Sequence, residues 1–359
     1  MPNTLKNLTN ALLNLWFNKA FLRFITLLFF NTFFLLLFNK ASAQSKNYLG
    51  NNLSVSLNSQ SLSKLKFNDS TTDSKYNFRN TKFLIGYKHS LYSNFVQKEG
   101  ILKFSQINVL PSLQISKVNF GHENLNRTLV NLKIGLSGIF HTSAKNTFLF
   151  AANTFANEDE YTLSNATFRY AGMMMYMRKV NNKFSYKTGL TFTYLFGEPL
   201  FLPVLGFKYK TSEKSMLNVT LPFVINWKKQ TKVQKLFYGF TLKPNGGINQ
   251  YQNKLSVDTT NVSLILRQRN YQFLGDMRIV NESNMILFQA GFIGNQKVIF
   301  TNENNSSIVN NFSFIGSNSV FANITFILFL NKNLRSKNHS KTMNSNESIN
   351  DEGLLDDTW

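Results

Sequence analysis

Along most of the chain, apolar and polar residues alternate with a period of two, the pattern of a strand that turns one face to an apolar medium and the other to water. FSYKTGLTFTYLF (184–196) shows it with little error. Phe184, Tyr186, Leu190, Phe192, Tyr194 and Phe196 share one parity, and Ser185, Lys187, Gly189, Thr191 and Thr193 the other. The alternation recurs in LSVSL (53–57), KFLIGYKHSL (82–91), LKIGLSGIF (132–140), ATFRYAGMMMYM (166–177), MLNVTLPFVINW (216–227), YQFLGDMRI (271–279), MILFQAGF (285–292) and VFANITFILFL (320–330). Several of these exceed the roughly five or six residues of a globular strand and approach the about 9 to 11 that cross a bilayer at a tilt. The pattern predicts an all-β protein, an antiparallel transmembrane outer-membrane β-barrel of about 12 strands, with 10 to 14 allowed.

The connections are expected to alternate between tight inner turns and longer outer loops. TSAKN (142–146), KVNNK (179–183), TSEKS (211–215) and NESN (281–284) read as inner turns, being rich in the Asn, Ser and Lys that turns tolerate. SQSLSKLKFNDSTTDSKYNFRN (59–80), ANEDEYTLS (156–164), FGEPL (196–200) and KKQTKVQK (228–235) read as outer loops. Residues 243–260 fit neither strand pair, inner loop nor plug decisively. Pro203 and Pro222 cannot donate a ladder hydrogen bond and belong at bulges or strand ends.

Length does not separate one large closed sheet from two soluble domains, because barrels routinely exceed the usual domain size. The N-terminus is more specific. Lys6, Lys19 and Arg23 precede the apolar FITLLFFNTFFLLLF (24–38), and Ala41-Ser42-Ala43 offers a cleavage site ahead of Gln44. This predicts a signal peptide over 1–43, a barrel over 44–331 and a polar tail over 332–359, basic at first and acidic at its end. The absence of cysteine excludes disulfides, thiolate metal sites and a lipidated N-terminal Cys. The net charge of +21 is spread through the chain rather than gathered in a patch, which argues against nucleic acid.

GEPLFLPVLGFKYKTSEKSMLNVTLPFVINW (197–227), following LKIGLSGIFHT and KFSYKTGLTFTYLFG, resembles an uncharacterised family of Bacteroidota outer-membrane β-barrel proteins. In those proteins a Pro-x-x-Gly strand, here Pro203 to Gly206, is followed by a short turn and a strand ending in Leu-Pro, here Leu221-Pro222. The resemblance spans roughly residues 80–330. It implies a fold and an outer-membrane location, and carries no activity, ligand or catalytic residue.

Candidate chemistry is sparse. Of the four histidines, His141 beside Thr142 and Ser143 is the best match to a lipid-hydrolase site, although it adjoins a predicted inner turn. Glu158, Asp159 and Glu160 could attract a hard cation, but adjacent residues lack the spacing of a ligand set, and a solvated acidic loop is the simpler reading. Met173, Met174, Met175 and Met177 read as packing residues, because neighbouring strand positions face opposite sides. No catalytic residue, cofactor or metal is assigned. The polar parity is more informative, since in a barrel it lines the interior. It places Lys88, Lys133, Arg169, Lys187, Lys208, Lys210 and Arg278 inward, with Asp276 as the clear carboxylate among them. Such an excess would draw anions through a charged constriction. Compositional bias, or pairing with loop carboxylates, is the competing account. Leu84, Val204 and Ile293 also fall on the inner parity, so a narrow or plugged lumen is as consistent as an open pore.

The expectation is a channel or transporter for small solutes, anions among them. The alternative is a closed interaction barrel acting through its loops and tail, with a lipid hydrolase third. The expected partners are outer-membrane lipid, the barrel-insertion machinery during biogenesis, and small anionic solutes.

Overall fold

The computed structural model describes residues 50–67, 73–98, 101–121, 126–159, 168–195, 198–231, 236–257, 260–281, 283–302 and 312–330. The predicted signal peptide and tail lie outside the described residues, as do His122, Glu160 and His339.

Sixteen strand segments form one antiparallel sheet that closes on itself. In chain order they are β1 (Asn52–Gln60), β2 (Ser63–Phe67), β3 (Asp73–Lys98), β4 (Ile101–Asn119), β5 (Arg127–His141), β6 (Asn146–Glu158), β7 (Phe168–Lys179) and β8 (Phe184–Thr193). They continue with β9 (Leu200–Ser212), β10 (Ser215–Leu221), β11 (Val224–Gln230), β12 (Leu236–Val257), β13 (Thr260–Val280), β14 (Asn284–Asn302), β15 (Phe312–Gly316) and β16 (Ser319–Phe329). β1 with β2, and β15 with β16, are each one crossing broken by two residues, so the wall has 14 crossings. Closure comes from β1, which pairs with β3 on one side and β16 on the other, and from β2, which pairs with β3 and β15. Because Asn52 lies opposite Phe329, the first and last strands begin and end at the same rim, here called the terminus end.

The two faces differ as the alternation requires. Phe201 is 79% exposed, Met174 71% and Leu190 65%, while Ser137, Lys187, Thr191, Asn226 and Gln289 on the other face are buried. Each outward side chain of this size would cost about 1.5–3 kcal/mol to leave in water, so the exterior suits a hydrocarbon surround.

MLNVTLPFVINW is two strands. β10 and β11 meet at a two-residue turn, Pro222-Phe223, at the far end. The sequence hid this corner because apolar residues run through it and it lacks the Gly or Asn that marks most hairpin turns. The corner splits one expected strand in two, and the 14 crossings of the wall stand within the 10 to 14 expected. It also moves Thr231 to the terminus end, so 228–235 does not form an outer loop: Lys228 to Gln230 belong to β11. Residues 59–80 prove to be mostly strand, with only 68–72 between β2 and β3. Residues 243–257 continue β12 past the last residue that β11 reaches, Leu242, so the β12–β13 hairpin overhangs its short neighbours. Two prolines mark where the wall loses a neighbour. Pro203 of β9 lies just beyond the reach of β10, which ends opposite Leu205, and Pro244 of β12 lies just beyond β11. Neither position asks its nitrogen to donate on that side.

Beyond the far ends of β7 to β11, the overhang meets β6. Asn157 Nδ2 donates to the Ile248 carbonyl at 2.7 Å, and Gln250 pairs with Glu158 in parallel. A Cβ on Gly246 would stand 2.1 Å from the Leu195 carbonyl oxygen, so only glycine admits this approach. The far end is thereby narrowed to a neck of nine strands, β2 to β6 and β12 to β15.

The interior and its candidate solute path

The neck is filled. Leu65, Phe78, Val118, Phe120, Leu129, Leu266, Val298, Phe300 and Phe314 form one apolar cluster, none more than 4% exposed. Phe78 meets Phe120 edge-on with ring centroids 5.3 Å apart, Phe120 meets Phe300 at 5.4 Å, and Phe300 meets Phe314 at 6.4 Å. Just below, Gln60 Nε2 donates to Gln296 Oε1 at 2.8 Å and to Ser319 Oγ at 3.0 Å, tying the two broken crossings together.

Below the neck the interior has two unlike walls. On the arc from β1 through β16, β14, β13 and β12 to β11, polar side chains bond laterally around the wall. Ser56 Oγ donates to Asn323 Oδ1 at 2.9 Å, and Asn323 Nδ2 to Gln289 Oε1 at 2.8 Å. Gln289 Nε2 and the Thr241 hydroxyl then donate to the two oxygens of Asp276, and Asn226 donates to Thr241. Asp276 is 6% exposed, and its charge is held by donors on both sides. The facing arc carries an apolar cluster among its polar side chains: Ile139, Leu149, Met173, Met175 and Val204 pack with Phe223, the tip of the β10–β11 turn, which is only 5% exposed.

All seven basic residues read from the sequence stand on the inward parity of their strands. Lys187, Lys208 and Arg169 are buried, while Lys88, Lys133, Lys210 and Arg278 are half-buried. Lys187 Nζ donates to Asn218 Oδ1 and, at 3.0 Å, to Thr220 Oγ1. Lys208 lies on the neighbouring strand, in register with Ser185 and Asn218. Lys82, six residues before Lys88 on the inward parity of β3, joins this set and was not among the seven. The neck phenylalanines and Phe223 were missed too. In the sequence they look like any aromatic on a strand, and only the overhang of β12 brings the neck residues onto one axis.

The remaining candidates have ordinary surroundings. Ser143 Oγ accepts from the amides of Lys145, at 3.3 Å, and Asn146, at 3.1 Å, so it shapes the turn after β5 beside His141. Glu158 is fully buried at the end of β6 rather than part of an open acidic loop, and Asp159 pairs with Arg127 at 3.5 Å. Among the described residues no group of acidic or histidine side chains could hold a metal ion. Met173 and Met175 pack inward while Met174 points out, as alternation requires.

The family model of a domain of unknown function, DUF6268, matches residues 40–332. The chain belongs to this family. No curated protein matches it. Among solved structures, an outer membrane channel from Pseudomonas putida F1 is similar at 8% identity and a TM-score of 0.40, covering 81% of this chain and 98% of that one. The Pseudomonas putida toluene transporter TodX is similar at 9% identity and a TM-score of 0.34, covering 78% and 89%. The translocator domain of the autotransporter NalP from Neisseria meningitidis is similar at 8% identity and a TM-score of 0.33, covering 80% and 90%.

Proposed function

We propose that this DUF6268 member is an outer-membrane transport barrel, with its terminus end in the periplasm, that passes small solutes through its interior and favours anions. Its Bacteroidota origin belongs to the same proposal. The observation that carries the reading is the inversion of polarity. An apolar exterior encloses buried polar side chains, and basic residues outnumber Asp276 and Glu158 on the inner face. Hydrogen-bonded strands in a closed ring satisfy the backbone in hydrocarbon without an edge, as a membrane crossing demands. The apolar neck sets the resting state. Water and ions do not cross a dry aromatic constriction, so passage requires the neck to open.

The filled neck also favours a second reading, a permanently closed barrel that acts through its loops. Recordings in planar bilayers separate the two. Wild-type protein should give rare, small conductance steps. The Phe120→Ala, Phe300→Ala double variant should raise the open conductance at least tenfold, with a reversal potential in a salt gradient on the anion side. A double variant that stays silent, or one that prefers cations, would overturn the transport reading.

A further inference from the structure

Charge is unevenly placed around the terminus-end rim. The turns after β5, β7 and β9 carry Lys145, Lys183 and Lys214, and the ends of β7 and β11 carry Arg178 and Lys229. All five are exposed, and none pairs with a carboxylate among the described residues. Backbone hydrogen bonds hold these turns and strand ends at one level. The Lys179 amide donates to the Lys145 carbonyl at 2.7 Å, the Lys210 amide to that of Lys183 at 2.8 Å, and the Gln230 amide to that of Lys214 at 2.7 Å. The result is a continuous basic arc from β5 to β11, on which Glu213 is the one acid among the described residues.

A composition rich in lysine would spread such charge over the whole rim, and it does not. At the same level across the ring, the described residues 236–237, 279–281, 283–285, 327–330 and 50–53 include no Lys or Arg. Lys88 and Arg278 stand close by, but on the inward parity of their strands. An annulus of anionic lipid surrounds a barrel evenly and gives no reason for a basic half-rim.

The chain itself supplies a matching anion. It leaves the wall at Leu330, on the arc without cations, where the Leu330 amide donates to the Asn51 carbonyl at 2.9 Å. From β16, β8 is seven crossings away along the ring of 14, so the middle of the basic arc lies directly opposite. Fourteen strands about 4.8 Å apart and tilted by about 40° make a ring roughly 28 Å across. After Leu330 the tail is first basic, and then carries Glu347, Asp351, Glu352, Asp356 and Asp357, which follow Leu330 by 17 to 27 residues. An unconstrained coil of that length spans about 20–30 Å. A tether matched to its gap holds its end at an effective concentration on the order of millimolar, so several individually weak ion pairs suffice to seat it.

We propose that the acidic end of this chain's own tail, residues 347–357, docks on the basic arc of Lys145, Arg178, Lys183, Lys214 and Lys229, so that the tail lies across the terminus-end opening. The proposal goes beyond the transport reading and holds whether or not the interior conducts.

The test is a pair of distance measurements between nitroxide labels on the full chain in phosphatidylcholine nanodiscs, which the lack of native cysteine permits. Thr358→Cys is paired with Asn182→Cys on the basic arc, or with Ser283→Cys across the ring. The first pair should give a narrow population at short distance and the second a long one, and salt on the order of 1 M should broaden both. Lys145→Glu, Lys183→Glu and Lys214→Glu together should abolish the short distance. Adding Asp351→Lys, Glu352→Lys, Asp356→Lys and Asp357→Lys to that variant should restore it, which a misfolded rim would not allow. Heat-modifiable gel migration identifies the variants that remain closed barrels. Equal, broad distributions for the two label pairs, or a short distance that survives the charge reversal, would overturn the proposal. Loss of the short distance when phosphatidylglycerol is added to the nanodiscs would assign the arc to lipid headgroups and overturn it as well.

Discussion

Asp276 and Lys187 carry opposite charges on the inner face and are stabilised differently. Asp276 takes hydrogen bonds on both oxygens from neighbours one strand away on each side, whereas Lys187 donates to residues on β10, two strands over. Replacing Asp276→Ala leaves Thr241 and Gln289 without their common acceptor, at a cost of about 1–3 kcal/mol. Denaturant unfolding in detergent should show that loss as a lower midpoint, and an unchanged midpoint would show that the belt is not structural. At this scale the sequence was informative about direction and silent about depth. A period of two is enough to put all seven basic residues on the inner parity. It cannot show that Lys187 is 2% exposed, because its partners Asn218 and Thr220 lie on a strand pair that the sequence reads as one strand.

Among the elements, the pair β10–β11 and the overhang of β12 decide how the interior is shaped. The corner at Pro222-Phe223 lowers the wall, and the tall β12–β13 hairpin closes over it onto β6. Tight turns at the terminus end were legible because Asn and Ser cap them. Asn181 Oδ1, for example, accepts from the amides of Lys183 and Phe184, both at 2.8 Å. The overhang was not, since its meeting with β6 is a contact between residues about ninety positions apart. Two adjacent glycines test it. A Cβ at Gly246 would strike the backbone oxygens of Leu195 and Gln268, while a Cβ at Gly247 would meet nothing within 4 Å. Gly246→Ala should therefore loosen the overhang, raising proteolysis of β12–β13 severalfold and lowering the melting temperature of the barrel. Gly247→Ala should match wild type in both. Equal behaviour of the two variants would contradict the close seam.

Over the whole molecule, 14 crossings return the chain to the rim where it began, and polarity is inverted relative to a water-soluble β-sandwich. Fold class was legible from strand length and alternation alone, because a sheet with one wet and one greasy face has few closed solutions at this size. The neck was not legible, since its phenylalanines share a level only after closure. Everything proposed for function depends on the inversion, and β8 offers the cleanest place to measure it. The chain has no cysteine, so single cysteines over 184–193 can carry nitroxide labels without background. In lipid bilayers, labels at Tyr186, Leu190 and Phe192 should relax readily with oxygen and weakly with a polar nickel chelate. Labels at Ser185, Lys187 and Thr191 should show low access to oxygen. A period of two in oxygen access, in phase with Leu190, is the predicted result; a profile in which the Leu190 parity is shielded from oxygen while the Lys187 parity is open to the nickel chelate would contradict it.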